Sequence, residues 1–225
     1  MELYLIRHGQ SFNNAHEGTN TRVADPPLTE IGQAQAQLVA DFLKTAEQTE
    51  DCGYKISELF CSAMLRTLQT TAPIAKVLGL TPTIWLDVHE ECGIWLDEGD
   101  GPVGHSGLTR KEIEAQFPGF VIPNGVTDDG WWNRPKETYA EAIVRARRVA
   151  DEILDRDLDS DCHLAIVTHG AFANIFIQVL LGQDPLEAVY FGHYNTGISR
   201  IDFVGGMIRP RYLNRVEHLV PHLRT

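Results

Sequence analysis

The chain has 225 residues, 43% of them hydrophobic and 22% charged, inside the range of ordinary globular proteins and against wholesale disorder. That length suits a single domain with a sizeable insertion, and a chain of this size buries roughly 70% of its unfolded surface, so it needs neither disulfides nor a structural metal. The formal net charge of −12 argues against nucleic acid as a partner, and no apolar run nears the ~20 residues that span a bilayer, which argues against a membrane one.

The opening MELYLIRHG has an acidic second residue and a short strand-like run over 2–6, not the pattern of a secretory signal. A helix is predicted over 29–45, capped by Thr29, with Leu28, Ile31, Ala34, Leu38 and Phe42 as its apolar stripe. A strand over 58–61 precedes a helix over 63–78 that Gly79 closes, and a third strand is predicted over 83–88. Residues 95–136, rich in Gly, Pro and Trp, read as an irregular insertion or lid in which only 109–117 is helical. A strongly amphipathic helix covers 137–155, with Tyr139, Ile143, Ala146, Val149 and Ile153/Leu154 on its apolar face. A buried strand over 164–167 feeds a helix over 171–181, and 198–204 with 208–213 form a terminal hairpin around Gly205–Gly206. Strands alternating with helices imply an α/β sheet with helices on both faces. Cys52, Cys61, Cys92 and Cys162 lack CxxC spacing, so reduced thiols and a cytoplasmic location are expected.

In an open α/β sheet, ligands bind beyond the C-terminal strand ends. The first strand runs into Arg7-His8-Gly9, the second into Cys61-Ser62 followed by Arg66, and the strand at 164–167 into Thr168-His169-Gly170 at a helix start. Guanidinium forks and helix N-termini both suit phosphate, and 14 of the 19 cations are arginine. Taken singly, each residue has a plainer explanation: a hydrogen-bonded core histidine for His8 or His169, a solvated charge for Arg66. Their joint placement on three strand ends points instead to a phosphate pocket.

The stretch LYLIRHGQSFNN, followed by PLTEIGQAQA, CSAMLRTLQTT, VHEECG and VTHGAFANIF in that order, resembles the histidine phosphatase superfamily, in its phosphoglycerate mutase-like branch. The resemblance covers nearly the whole chain, with 95–136 the least constrained part. It implies a mainly parallel mixed sheet, a covalent phosphohistidine intermediate, a small phosphorylated substrate, and no metal or other cofactor. Carried onto this chain, it makes His8 the nucleophile. Arg7, Arg66 and His169 would hold the phosphoryl oxygens, with Asn14 adding a contact. Val88-His89-Glu90 fits the family's Leu-x-Glu pattern and makes Glu90 the proton donor, with Glu91 as the neighbour one residue out of register. Arg7, Arg66 and a cationic His169 would depress the pKa of His8 and keep it neutral for attack. The mutase branch usually follows its RHG with a Trp-Asn pair and a Gly-Trp element. FNNAHEGTNTRVADPPL lacks both, which favours a phosphatase over a phosphoglycerate mutase, the alternative reading.

Other features carry less. Gly99–Gly104 spells GxGxxG without a βαβ context. His218 and His222 are four apart with Pro221 between them, which disfavours the helix that would align them on a metal. Cys92 beside His89 is a weak metal hint. Trp131 and Trp132 could equally be core or wall a substrate pocket. Neither the physiological substrate nor the oligomeric state follows from the sequence.

Overall fold

A computed structural model describes residues 1–19, 21–46, 54–158 and 160–225. The first half runs through β1 (Glu2–Arg7), the single turn α1 (Phe12–Ala15), α2 (Glu30–Ala46), β2 (Glu58–Cys61), α3 (Leu65–Leu78) and β3 (Thr83–Ile84). The second half adds β4 (Trp95–Asp97), β5 (Pro102–Gly104), α4 (Arg110–Gln116), α5 (Tyr139–Leu154), β6 (His163–Thr168), α6 (Gly170–Leu180), β7 (Ile198–Val204) and β8 (Met207–Arg215).

Six strands form one sheet in the order β3-β2-β6-β1-β7-β8. The first four are parallel, while β7 and β8 run antiparallel as a hairpin on the β1 edge. This is the mainly parallel mixed sheet expected. Side chains alternate faces along a strand. Tyr4, Ile6, Ala165 and Val167 therefore pack with α2 and α3, while Leu3, Leu5, Leu164 and Ile166 pack with α5 and α6. β6 is buried along its whole length, as a central parallel strand covered on both faces must be. Among the described residues, no helix is long and apolar enough to cross a membrane.

Local chemistry sets the helix ends. Thr138 and Glu141 close a capping box at the start of α5, and Thr109 with Glu112 does the same for α4. Gly79 takes the left-handed conformation at the end of α3, with φ 69°.

Three expectations need correction. The buried face of α2 is Gly32, Gln35, Ala36, Val39, Ala40 and Leu43, while Ile31 is exposed and Leu38 only half-buried. The helix is rotated because its glycine, not its isoleucine, must meet the loop after β1. A Cβ on Gly32 would lie 2.0 Å from the Gln10 carbonyl oxygen, and buried Gln35 accepts the Gln10 N–H at 2.7 Å. The strand predicted over 83–88 ends at Ile84, after which Leu86–Val88 forms a 3-10 turn. There the Val88 carbonyl accepts from Thr168 Oγ1 at 2.8 Å instead of joining a strand ladder. Leu154, placed on the apolar face of α5, is exposed.

The segment 95–136 contains the β4–β5 hairpin and α4, and the Gly99–Gly104 stretch lies in that hairpin, not in a strand-to-helix turn. Cys61, Cys92 and Cys162 are free thiols, and Cys52 lies outside the described residues.

Candidate active site

β1 and β6 are parallel neighbours with Arg7 opposite Thr168, so the residues that follow, His8 and His169, emerge side by side. Their ring centroids are 5.1 Å apart. Gly9 lets the chain turn directly onto α2: a Cβ there would sit 2.5 Å from the Gly32 carbonyl oxygen.

His8 is 2% exposed. Its Nδ1 lies 2.7 Å from the Gly9 carbonyl oxygen, which can only accept, so Nδ1 carries the proton and Nε2 presents its lone pair. Nε2 accepts from Arg66 Nε at 3.1 Å. Burial first, then the charges of Arg66 and Arg7, hold the His8 pKa well below the usual imidazole range. The ring is neutral near pH 7.

His169 is fully buried at the N-cap of α6, and neither ring nitrogen has a protein hydrogen-bond partner. Burial, Arg66 and His8 push its pKa well below the ordinary value. These effects favour the neutral ring, in place of the cationic His169 expected from the sequence. Arg7 donates through Nη1 to the His193 carbonyl, while its buried Nε lacks a partner. Buried polar groups without partners are rare in folded proteins. Arg7 Nε and both nitrogens of His169 are three such atoms, and they lie beside the helix N-terminus of α6, which is itself an anion-binding element.

Asn14 closes the capping box of α1 with Ser11 and reaches His8 indirectly. Asn195 Nδ2 donates to the His8 carbonyl at 3.0 Å and lies 3.4 Å from Asn14 Oδ1. The Asn14 oxygen is thus engaged by Ser11 and Asn195.

Glu90 joins this group across the start of α6. Its Oε1 accepts the Phe172 N–H at 2.8 Å, and its Oε2 lies 3.4 Å from the Ala171 nitrogen. Glu91 makes no such bond and is half-buried, with its pKa raised mainly by burial. The geometry thus brings Glu90, not Glu91, to the helix that starts at His169. The turn beyond it is tightly built: the Gly93 N–H bonds the Glu90 carbonyl at 3.0 Å, and Cys92 adopts a left-handed φ of 75°, uncommon for a non-glycine residue. A Cβ on Gly93 would fall 2.0 Å from the Trp132 ring. Trp131 and Trp132 are 8% and 4% exposed and belong to the apolar core. Trp132 meets His89 edge-on at 4.8 Å, so the pair backs the turn that carries Glu90. His218 bonds Thr196, and among the described residues no group of three His, Cys, Asp or Glu could hold a metal ion.

Sequence reasoning missed Asp25. Its carboxylate accepts the Leu65 N–H at 3.1 Å and lies 3.7 Å from Arg66 Nη1, so it both caps α3 and anchors the guanidinium that touches His8. Tyr190 was also missed; its hydroxyl would lie 3.5 Å from a Cβ on Gly170, where Arg7 Nε would lie at 3.3 Å. Neither residue had a local signal, since each partner is distant in sequence.

Burial, partly offset by Arg66 and the Leu65 N–H, raises the Asp25 pKa from 3.8 to about 6. A carboxyl whose folded pKa is raised contributes stability below its unfolded pKa, and that contribution is lost as pH rises through the folded value. Asp25→Asn lacks this dependence. Its melting temperature is expected to gain on wild type between pH 4 and pH 7, by the equivalent of about 3 kcal/mol for a shift of roughly two pKa units. Parallel melting curves across that range would contradict the assignment.

Arg66→Lys keeps the charge but loses the planar fork. A charge-assisted hydrogen bond of about 1.5–3 kcal/mol sets the expected loss in kcat/KM for a phosphate ester at roughly 10–100-fold. Near-wild-type kcat/KM would mean that charge alone suffices.

Relatives of the chain are found both by sequence and by fold. A probable phosphoglycerate mutase GpmB of Photorhabdus laumondii is 28% identical over 210 residues, covering 90% of this chain and 85% of that one. The PE-PGRS family protein PE_PGRS11 of Mycobacterium tuberculosis is 39% identical over 86% of this chain, but the match spans only 32% of that longer protein. The crystal structure of phosphoserine phosphatase from Entamoeba histolytica, in complex with 3-phosphoglyceric acid, shares the fold with a TM-score of 0.62 at 21% identity, over 97% of this chain and 99% of that one. The family model of the histidine phosphatase superfamily, branch 1, matches residues 3–215, and the chain belongs to that superfamily.

Proposed function

We propose that the protein is a phosphatase that hydrolyses a small phosphate monoester through a phosphohistidine on His8. The observation that carries this reading is the buried, neutral His8, whose Nε2 lone pair lies beside the Arg66 guanidinium, 5.1 Å ring to ring from a His169 without hydrogen-bond partners. In the first step Nε2 attacks phosphorus, the N–P bond forms and the ester O–P bond breaks. Glu90 supplies the proton that the departing alkoxide takes up. Arg7, Arg66, His169 and Asn14 bind the equatorial oxygens, where preorganised donors contribute most to phosphoryl transfer. In the second step Glu90, now a carboxylate, takes a proton from water as the water oxygen bonds phosphorus and the N–P bond breaks. His8 and protonated Glu90 are regenerated and inorganic phosphate leaves.

The chain acts as one catalytic unit in this reading, with 95–136 as the insertion or lid that discriminates among leaving groups. The free thiols of Cys61, Cys92 and Cys162 fit a reducing cytoplasm. Likeness to a probable phosphoglycerate mutase supports a second reading, in which the phosphoryl group returns to a phosphoglycerate. Inorganic phosphate release across a panel of phosphorylated metabolites, run beside isomerisation of 3-phosphoglycerate with and without bisphosphoglycerate, separates the two. Phosphate release with a clear kcat/KM preference supports the phosphatase. Isomerisation that exceeds phosphate release overturns it in favour of the mutase.

A further inference from the structure

Against the segment that carries Glu90 lies a buried ion pair that the phosphoryl-transfer steps do not use. Arg145 of α5 and Glu137 just before it form a two-pronged contact: Nε to Oε1 at 2.8 Å and Nη2 to Oε2 at 2.7 Å. Both side chains are almost fully buried, at 2% and 7% exposure. A pair so placed gains little over an apolar filling of the same volume unless its geometry does something further. Here the third guanidinium nitrogen does: Arg145 Nη1 donates to the carbonyls of Asp87 at 2.7 Å and His89 at 3.0 Å, the two residues flanking Val88 in the segment that leads into Glu90.

The same guanidinium stacks on the Phe172 ring at 4.6 Å, and Phe172 is the residue whose N–H holds Glu90 Oε1. Arg145 therefore touches both supports of the Glu90 carboxylate, the main chain before it and the helix turn that receives it. Glu137 adds a third tie through its own N–H, which donates to the Cys92 carbonyl at 3.1 Å on the far side of the turn. His89 completes the frame: its Nδ1–H bonds the Glu90 carbonyl at 2.8 Å, and its Nε2 accepts from Arg134 at 3.1 Å.

We propose that Arg145 and Glu137 are positioning residues for Glu90: the ion pair fixes the segment 87–92 against α6 so that the Glu90 carboxyl faces the leaving-group oxygen. The inference rests on the proposed acid role of Glu90, and deepens it by naming what holds the acid in place. Proton transfer in the transition state depends on close approach of donor and acceptor, whereas the hydrogen bonds of Arg7 and Arg66 run to His193 and His8 and not to this pair, whose Arg145 charge, kept in Arg145→Lys, reaches His169 only through space.

The test is the leaving-group dependence of phosphorylation of His8 in single turnovers. Arg145→Lys keeps a cation in the same place but cannot hold Glu137 through two nitrogens and both carbonyls at once. For an alkyl phosphate the rate should fall by at least 10-fold; for an aryl phosphate with a good leaving group it should stay within about threefold. Inhibition by orthovanadate should also stay within about threefold of wild type, and Arg145→Lys should add nothing to the alkyl-ester loss of Glu90→Gln. Glu137→Gln, which keeps its volume, carries the same comparison should Arg145→Lys fail to fold. Arg145→Ala offers a further readout. A groove of about 460 Å³ lined by Arg134, Glu137, Arg145 and Arg148 opens on the pair, so added guanidinium ion should restore alkyl-ester turnover and leave the aryl ester unchanged. Arg147→Ala, on the exposed side of the same helix, should change neither ester.

Equal losses on both esters in Arg145→Lys and Glu137→Gln, with Glu90→Gln still selective for the alkyl ester, would overturn the positioning role alone. Absence of leaving-group dependence in Glu90→Gln itself would overturn the acid assignment, and the positioning role with it.

Discussion

His8→Ala is expected to lower kcat by at least ~10³-fold, the scale seen when a nucleophile that acts as part of a unit is removed. The size of the effect follows from what the site cannot replace. His169 is close, but it caps α6 and its pKa, like that of His8, is held well below the ordinary range by burial and Arg66. It lacks the Nδ1–H bond to a main-chain carbonyl that fixes the ring of His8 with Nε2 facing Arg66. The same environment sets the pH dependence. Because burial and the two arginines lower the His8 pKa, protonation of the nucleophile becomes significant only at pH well below 6.5. The acid limb of kcat/KM should therefore not be centred on an ordinary imidazole value. A His8→Ala variant within tenfold of wild type would remove the nucleophile from the account.

Glu90→Gln should lose about 10²–10⁴-fold in the phosphorylation of His8 by an alkyl phosphate, the range supplied by general acid catalysis. An aryl phosphate whose phenolate departs unaided should lose far less. The contrast tests the role and not merely the presence of the side chain, because the glutamine oxygen can still accept the Phe172 N–H bond that holds Glu90 at the start of α6, leaving only the longer contact with Ala171 without an acceptor. The single-turnover phosphorylation step must be isolated, since hydrolysis of phosphohistidine also uses this carboxylate as base and would mask the difference. Were Glu91→Gln to show the dependence instead, the Val88-His89-Glu90 register would be wrong by one residue. Equal losses on both esters would make Glu90 a support of the pocket.

How much of this was legible in the sequence depends on whether a residue's surroundings are local. The RHG turn was legible: a short apolar run reads as a strand and the glycine marks a close approach, while the parallel pairing of β1 with β6 that sets His8 beside His169 is seen only in the structure. Arg66 was legible only through its place just after the second strand end, because periodicity alone leaves an arginine on a helix as a surface charge. The α2 stripe held at Leu28 and Phe42 but failed at Ile31, Ala34 and Leu38, because hydrophobicity was taken as the guide to burial. The residues that meet the loop after β1 are Gly32 and Gln35, chosen for closeness of backbone and for a hydrogen bond. Asp25, Glu137 and Arg145 were overlooked for a related reason. A charge is buried only when a partner neutralises it; Arg66 is 41 positions from Asp25, and the carbonyls that Arg145 holds are nearly 60 positions from it. The end of β3 was missed in the same way, since the bond from Thr168 that draws Val88 off the sheet spans 80 residues.

The most direct measurement is rapid quenching of the enzyme with a radiolabelled phosphate monoester, followed by location of the label on the chain. The account predicts a burst of protein-bound phosphate that is labile in acid and stable in alkali, located on His8 and absent from His8→Ala. With an alkyl ester the burst should be slowed in Glu90→Gln. Label on His169, on any other residue, or no covalent label while turnover proceeds would contradict it.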